Sequence, residues 1–481
     1  MFEFLYISSQ ITVLLVLVLT SANRSRFIFW LAFLIPLNSV SFEAGVLYSW
    51  AKIAFPITLC VIALHRKTWA SSAESVNSIR SDFIWFKGFL WYATALTCVW
   101  MIVDFESGYT SMRATYLGPL QSTLRSPVQL VSFVSQWGMI FAGFWVTRSS
   151  DDVSIMIRGY LWGNLLNALT GFYQVLASKV GLPWLSGAWI LRREIFNPDT
   201  TEDIVGVGPL ALNRLSGLGG EPKHAAINFV VILFLLSILY IFGDGKIELK
   251  RWPVKALIIF MAFLLTLSVG AWSSLLVGTA YIMVSAFFTH RYKVTLWLSL
   301  LFFFVCTLVS IAGYKNVLQL YDSYASIKLS DQAVARYTDY AVIDMLVEEP
   351  ARLLVGQGAG GSERLSPVPL YSLVEGDALG GTVYTFTKIL SETGMIGSIL
   401  ISIAFFWWAV SLFRAGIPEY GHFVLGGFLM MMLGHNVGLY GFLFISGAMI
   451  SQGNRWYSRI QPITSEDTIN IIRHGQFGRS L

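Results

Sequence analysis

Between Asn213 and Ala226 the chain reads NRLSGLGGEPKHAA, which sets Arg214, Glu221, Lys223 and His224 within eleven residues of one another. Directly afterwards, from Ala225 to Phe242, the sequence is apolar. Ionisable groups at the mouth of an apolar helix are expensive to place, so such a cluster points to function. The glycines allow close backbone approach and positive φ. Pro222 suits the first turn of a helix. Lys223 and His224 then fall in that turn, where free backbone N–H groups and the helix dipole attract anions. Arg214 and Lys223 add full positive charges, and Glu221 or His224 can accept a proton. A plainer reading is a capped helix start with interfacial side chains.

Two further stretches carry similar chemistry. Ala335–Gly361 reads ARYTDYAVIDMLVEEPARLLVGQGAGG, with Arg336 and Asp339 early and Arg352 just after Glu349-Pro350. Guanidinium forks bind phosphate oxygens in pairs, so these arginines suit a phosphorylated ligand; a solvated, salt-bridged surface is the alternative. Leu390–Gly397, LSETGMIG, places Glu392 inside an apolar segment. A buried carboxylate needs a partner, such as Lys388 or an arginine from an outer loop, and a structural ion pair is favoured over direct chemistry. Gly394 and Gly397 are small enough for close helix packing. His435 is read as a hydrogen-bonded packing residue. Cys60, Cys98 and Cys306 each sit in apolar runs without metal-ligand spacing and read as packing residues. GLGGEPKH lacks the spacing and ending of a nucleotide-binding P-loop, and neither HExxH nor GxSxG occurs. An ATP-driven machine is therefore disfavoured.

The elements that must position these residues are helices in a membrane. Of 481 residues 55% are hydrophobic and 13% charged, with mean hydropathy +0.63. Apolar runs near the length that crosses a ~30 Å hydrocarbon layer recur along the chain. The fold class is all-α and polytopic, not a barrel with alternating ten-residue segments. About thirteen segments are expected. The first seven are Leu5–Thr20, Phe27–Val40, Gly45–Leu64, Ile84–Val103, Val128–Val146, Ile155–Leu176 and Ala225–Phe242. The rest are Val254–Val269, Ala271–Phe288, Thr295–Ile311, Tyr384–Val410, Gly421–Leu433 and Val437–Ile450. Phe27–Val40 contains Pro36 and is a full or half helix; Gly421–Ile450 is one helix or two, so the total is eleven to fourteen. Met1–Thr20 lacks a basic leader region and is expected to remain as a helix.

Alternate connections are basic: Arg24 and Arg26, then His65 to Lys87, Arg148, Lys246 to Lys255, Arg291 and Lys293, Arg414, and the tail from Arg455. Assigning them to the cytoplasm puts the N-terminus outside and the C-terminus inside. The longer loops, Asp104–Pro127, Ser178–Lys223 and Gly313–Val383, then lie on the other face. The last contains short amphipathic helical sequence within Asp331–Val355, followed by a glycine-rich loop. The chain divides into helices and loops over 1–223, central helices over 224–312, a large outer loop over 313–383, C-terminal helices over 384–450 and a loose tail over 451–481.

In this order and on this topology, the three stretches resemble the O-antigen polymerase and ligase superfamily. RLSGLGGEPKHAA is similar to its Arg–Gly–x–Glu/Asn–Pro element, ARYTDY…EEPARLLVGQGAGG to its large periplasmic loop, and ETGMIG to its Glu-x-Gly-x-x-Gly element. LSVGAWSS at Leu267–Ser274 resembles a helix that often carries Ser-Arg in relatives, here without the arginine. Ligases commonly carry His-Asn about nine residues before that glutamate; this chain has Thr382-Val383-Tyr384-Thr385 there, which favours a Wzy-type polymerase. The resemblance implies a GT-C-like membrane glycosyltransferase of the bacterial inner membrane. It would join undecaprenyl-diphosphate-linked repeat units of O-antigen, capsule or exopolysaccharide on the periplasmic face, without metal, nucleotide or other cofactor. It implies Arg214 and Arg336 on the diphosphate, with Lys223 and Arg352 as secondary contacts. Asp339, Tyr384 and Glu392 complete the substrate-binding set. Glu221, His224, Asp339 and Tyr384 remain candidates for the base. The implied partners are the lipid-linked oligosaccharides, the bilayer and a chain-length regulator, with no nucleic acid. The alternatives are an O-antigen ligase and, from another class, a flippase or transporter.

Overall fold

The computed structural model describes residues 12–37, 41–43, 47–65, 83–107, 119–180, 204–205, 212–213, 215, 217–218, 222–243, 251–266, 268–291, 342–344, 346–361, 384–432 and 439–460. After a helical segment over 12–20 come α1 (Arg24–Leu34), the antiparallel pair β1 (Ser41–Glu43) and β2 (Leu47–Ser49), α2 (Trp50–Leu64), α3 (Ile84–Ser107), α4 (Pro119–Val146) and α5 (Ser150–Val180). A second small pair, β3 (Ile204–Val205) and β4 (Leu212–Asn213), precedes α6 (Pro222–Phe242), α7 (Trp252–Thr266) and α8 (Val269–Phe288). The short α9 (Pro350–Val355), then α10 (Thr385–Arg414), α11 (Pro418–Met432) and α12 (Leu439–Ile460) complete the described chain.

Local sequence explains where helices start. Asn23 caps α1, its Oδ1 accepting from the Arg26 N–H at 3.1 Å. Ser149 and Asp152 cap α5 reciprocally: the Asp152 N–H donates to Ser149 Oγ at 3.2 Å, and the Ser149 N–H donates to Asp152 Oδ2 at 3.1 Å. Proline opens both α6 and α9.

The most extensive helix pairs are α4 with α12, α1 with α5, α10 with α11, and α3 with α10. Gly159 and Gly163 of α5 lie so close to the Phe29 and Phe33 carbonyls of α1 that any side chain there would overlap them. Gly143 of α4 and Gly447 of α12 do the same for their pair. Aromatic rings fill the wider gaps. Phe83, Phe86 and Phe89 stack edge-on or tilted against Phe133, Trp137 and Phe141 of α4 and Trp408 of α10.

Large apolar side chains also cover the outside. Trp91 is 74% exposed, Tyr240 70% and Phe288 74%, and Ile102, Val99 and Phe406 are more than half exposed. Faces of that size are not left to water. Among the described residues, five helices are long and apolar enough to cross a bilayer: Ile84–Val103, Gln129–Val146, His224–Phe242, Gly270–Phe288 and Thr385–Arg414. The protein is a membrane-embedded helical bundle.

Contacts between helices fix their directions. Phe89 meets Phe133 while Phe83 meets Phe141, so α3 and α4 are antiparallel. Trp408 meets Phe83, and Glu392 lies near the Thr97 level of α3, so α10 also opposes α3. By the same reasoning one end of the bundle gathers the ends of α2, α4, α6, α8 and α10 and the starts of α1, α3, α5 and α11. Arg24 pairs there with the buried Asp152 at 2.9 Å, and Ser21 meets His65 at 3.0 Å. Arg291 donates to the Ile241 carbonyl, and His422 packs on Phe242 and Phe413. Among the described residues, Arg24, His65 and Arg291 from connections predicted to share one side lie at this end.

Several expected boundaries move. The segment expected from Gly45 begins as strand and becomes helix only at Trp50. The expected loop Asp104–Pro127 is helical at both ends, because α3 runs to Ser107 and α4 starts at Pro119 and passes through Pro127. Gly421–Ile450 is two helices, and α12 continues to Ile460 through the start of the expected loose tail. Cys60 and Cys98 are exposed on outward helix faces rather than packed in the core. Thr295–Ile311, Cys306 and His435 lie outside the described residues.

Candidate functional site

Helix α10 is broken inside its apolar length. Gly394 has φ 63° and ψ −169°, values only glycine adopts readily, and the helix resumes after it. A break frees carbonyls of the preceding turn for partners outside the helix. The Ser391 and Glu392 carbonyls accept from the N–H groups of Gln357 and Gly358, at 3.0 and 2.8 Å. The loop Gly356–Gly361 thus docks into the break. The fit is backbone on backbone: a Cβ on Gly356, itself at φ 85°, would overlap Gly394 N, and one on Gly394 would overlap Leu354 O.

Every N–H from Gly356 to Gly361 has a protein acceptor. Gly356 donates to Arg352 O at 2.7 Å and Gly361 to Gly358 O at 2.9 Å. Ala359 donates to Thr97 Oγ1 at 2.8 Å, and Gly360 to Glu392 Oε1 at 2.9 Å. From α3, Tyr92 Oη donates to Val355 O at 2.5 Å and Trp100 Nε1 to Gly356 O at 3.3 Å. The loop is therefore not a phosphate cradle, which needs free N–H groups. Its charge comes from Arg352, whose Nε meets Glu349 Oε2 at 2.5 Å and whose guanidinium lies 6.0 Å over the Trp100 ring. With the buried Gln357 amide turned to satisfy both ends, its nitrogen donates to Gly361 O at 3.0 Å and its oxygen accepts from Arg352 NH1 at 3.3 Å. Arg352 remains about one-third exposed.

Depth follows from α3. Tyr92 to Trp100 lie about 12 to 24 Å along it from the basic end, at 1.5 Å per residue. That is within a ~30 Å hydrocarbon layer. The docked segment packs beside this apolar stretch of α3, and its Leu354 and Val355 are exposed.

A second cluster holds the start of α6. Asn167, Gly171 and Gln174 lie on one face of α5. The Gly217 N–H donates to Gln174 Oε1 at 2.7 Å while Gln174 Nε2 donates back to Gly217 O at 3.0 Å. The Leu218 N–H donates to Asn167 Oδ1 at 2.7 Å, and the Leu215 N–H to Leu265 O of α7 at 3.0 Å. Asn167 and Gln174 are fully buried, and the Leu215 side chain fills the space above Gly171. The seam continues down α5: Tyr160 donates to Asn228 Oδ1 at 2.7 Å, and Asn228 Nδ2 donates to His224 O at 2.9 Å.

Of the sequence-predicted residues, His224 lies half-buried in the first turn of α6 and Lys223 precedes it in the same helix. Tyr384 is the extended residue capping α10. Glu392 is buried, and its carboxylate accepts from Gly360; the expected partners were Lys388 or an outer-loop arginine. Gly394 was expected to serve helix–helix packing; it breaks the helix to admit the loop. Arg214, Glu221, Arg336 and Asp339 lie outside the described residues. The structure brings Arg352 and Glu392 together through the Gly356–Gly361 loop. The α5–α6–α7 cluster around His224 is built on other helices. Among the described residues no three His, Cys, Asp or Glu side chains group to hold a metal.

Sequence reasoning missed Tyr92, Thr97, Trp100, Asn167 and Gln174. Its available signal was polar groups at helical spacing inside apolar runs: Tyr92 and Trp100 eight apart, Asn167 and Gln174 seven apart. No protein-family model, curated protein or solved structure matches the chain.

Proposed function

We propose that the protein is a membrane polysaccharide polymerase joining repeat units carried on undecaprenyl diphosphate. One observation carries this reading. Two of the three motifs that resemble the polymerase superfamily, Gly356–Gly361 and Glu392–Gly394, are separated in sequence and meet at a break in α10. Arg352 sits at that junction, partly open toward lipid. In the proposed reaction an acceptor hydroxyl attacks the anomeric carbon, the bond from that carbon to the diphosphate oxygen breaks, and undecaprenyl diphosphate leaves. The hydroxyl proton passes to one of Glu221, His224, Asp339 or Tyr384. Arg214 and Arg336 stabilise the departing negative charge by preorganised electrostatics, and Lys223 and Arg352 bind the diphosphate as secondary contacts. The basic end of the bundle faces the cytoplasm and the reaction faces the periplasm of a bacterial inner membrane.

The test is polymer length in cells lacking the gene, complemented by wild type, Arg214→Ala or Arg336→Ala. A polymerase leaves single repeat units on the normal terminal acceptor in the deletion. The arginine variants, still inserted in the membrane, lower turnover by about 10²–10³-fold. Full-length polymer left unligated on undecaprenyl diphosphate identifies a ligase instead. Repeat units that never reach the outer leaflet identify a flippase.

A further inference from the structure

We infer that Thr97, with Tyr92 and Trp100 beside it on α3, is a positioning residue of this site: it holds the docked loop in the α10 break and so sets where Arg352 stands. The inference rests on the proposed polymerase reading for its substrate, but its geometry does not.

Thr97 is fully buried in an apolar helix. Its hydroxyl donates to the Ala93 carbonyl at 2.6 Å, which fixes the rotamer and turns a lone pair toward the Ala359 N–H at 2.8 Å. The loop backbone rests directly on it, since a Cβ on Gly358 would overlap the Thr97 Cα. Tyr92 and Trp100, five residues before and three after Thr97, donate to the successive carbonyls of Val355 and Gly356. Three side chains of one helix thus grip a loop whose other face is held by Ser391 and Glu392. Arg352 lies one turn before the grip, its guanidinium over the Trp100 ring and within reach of Gln357 in the loop. The three gripping side chains are uncharged. Their contribution is placement, and that applies equally to the ground state and the transition state of a substrate touching Arg352.

Thr97→Val keeps the shape, removes the acceptor and leaves the Ala359 N–H buried without one. Thr97→Ser restores it. Two readouts on the full-length protein in membranes separate placement from folding. The first is kinetics on purified undecaprenyl-diphosphate-linked repeat units. Thr97→Val raises KM about five- to tenfold with kcat nearly unchanged, as expected for lost uniform binding through one hydrogen bond. Thr97→Ser stays near wild type, and Tyr92→Phe gives a smaller rise in KM. The second is maleimide labelling of Leu354→Cys, in a background with Cys60, Cys98 and Cys306 replaced by serine. Loosening the loop changes its labelling rate several-fold in Thr97→Val but not in Thr97→Ser. Unchanged labelling in Thr97→Val overturns the inference. So does altered labelling with unchanged KM, or a loss in Thr97→Val that serine does not restore. Should Thr97→Val fail to insert, the Tyr92→Phe pair of measurements decides by the same criteria. Wild-type protein that does not polymerise defeats the functional reading alone, because the labelling comparison still judges the grip.

Discussion

Replacing Glu392 with glutamine keeps an oxygen for the Gly360 N–H; replacing it with alanine removes that oxygen. The carboxylate is buried and tied to the loop backbone at 2.9 Å. Glu392→Ala should therefore destabilise the docked loop by about 1–3 kcal/mol, the penalty for leaving a buried donor without an acceptor. Glu392→Gln should retain wild-type thermal stability in detergent. If glutamine also retains polymer length, the negative charge has no part in the chemistry; if it is stable but inactive, the charge does. The ETG triplet was legible as a motif, but its physical role was not. Sequence marked Glu392 as a buried carboxylate and searched for a cation. One group that carboxylate holds is the backbone N–H of Gly360, a type of group present at nearly every residue and therefore invisible to any search for side-chain types.

Helix α10 shows what an element can hide. Its sequence is apolar from Thr385 to Arg414 at a length that spans a bilayer, and the span was readable for that reason. The break was not, because a glycine in an apolar helix more often marks close packing. Only the arrival of Gly356 against Gly394, from a loop outside α10, decides between the two. Gly394→Ala places a side chain at φ 63° and on the Leu354 carbonyl, so it should cost about 2 kcal/mol or more and release the loop. Limited proteolysis near Arg352 reads that release; an unchanged cleavage pattern with unchanged melting argues that the helix can straighten without it. Helix α5 illustrates the converse. Asn167 and Gln174 stand out as polar residues in an apolar helix, yet the segment they bind, Gly217–Leu218, is recognised through its backbone alone. Gln174→Leu removes both hydrogen bonds with Gly217 and should destabilise by about 2 kcal/mol, twice the net value of one such bond. Loss of melting temperature larger than that of Thr170→Ala, an exposed position on the same helix, checks it.

At the scale of the bundle, alternation of basic connections predicts which helix ends share a side, and among the described residues several contacts gather such ends together. Arg24 meets Asp152, Ser21 meets His65, and Arg291 reaches the end of α6, so these residues crowd one end. The opposite end carries the start of α6, the clasp from α5 and the cap of α10. Turnover at a periplasmic face requires that second end to lie outside. The proposed orientation keeps the basic end inside, since Lys and Arg in short connections resist translocation. A reporter active only outside the cytoplasm, fused after Thr200, should be active, and the same reporter fused after Lys246 should be silent. These two positions flank α6, whose 21 residues extend about 30 Å and admit a single crossing. The reverse pattern would place the docked loop, Arg352 and the start of α6 on the cytoplasmic side, where a reaction on translocated repeat units cannot occur, and would remove the polymerase reading whatever the arginine variants do.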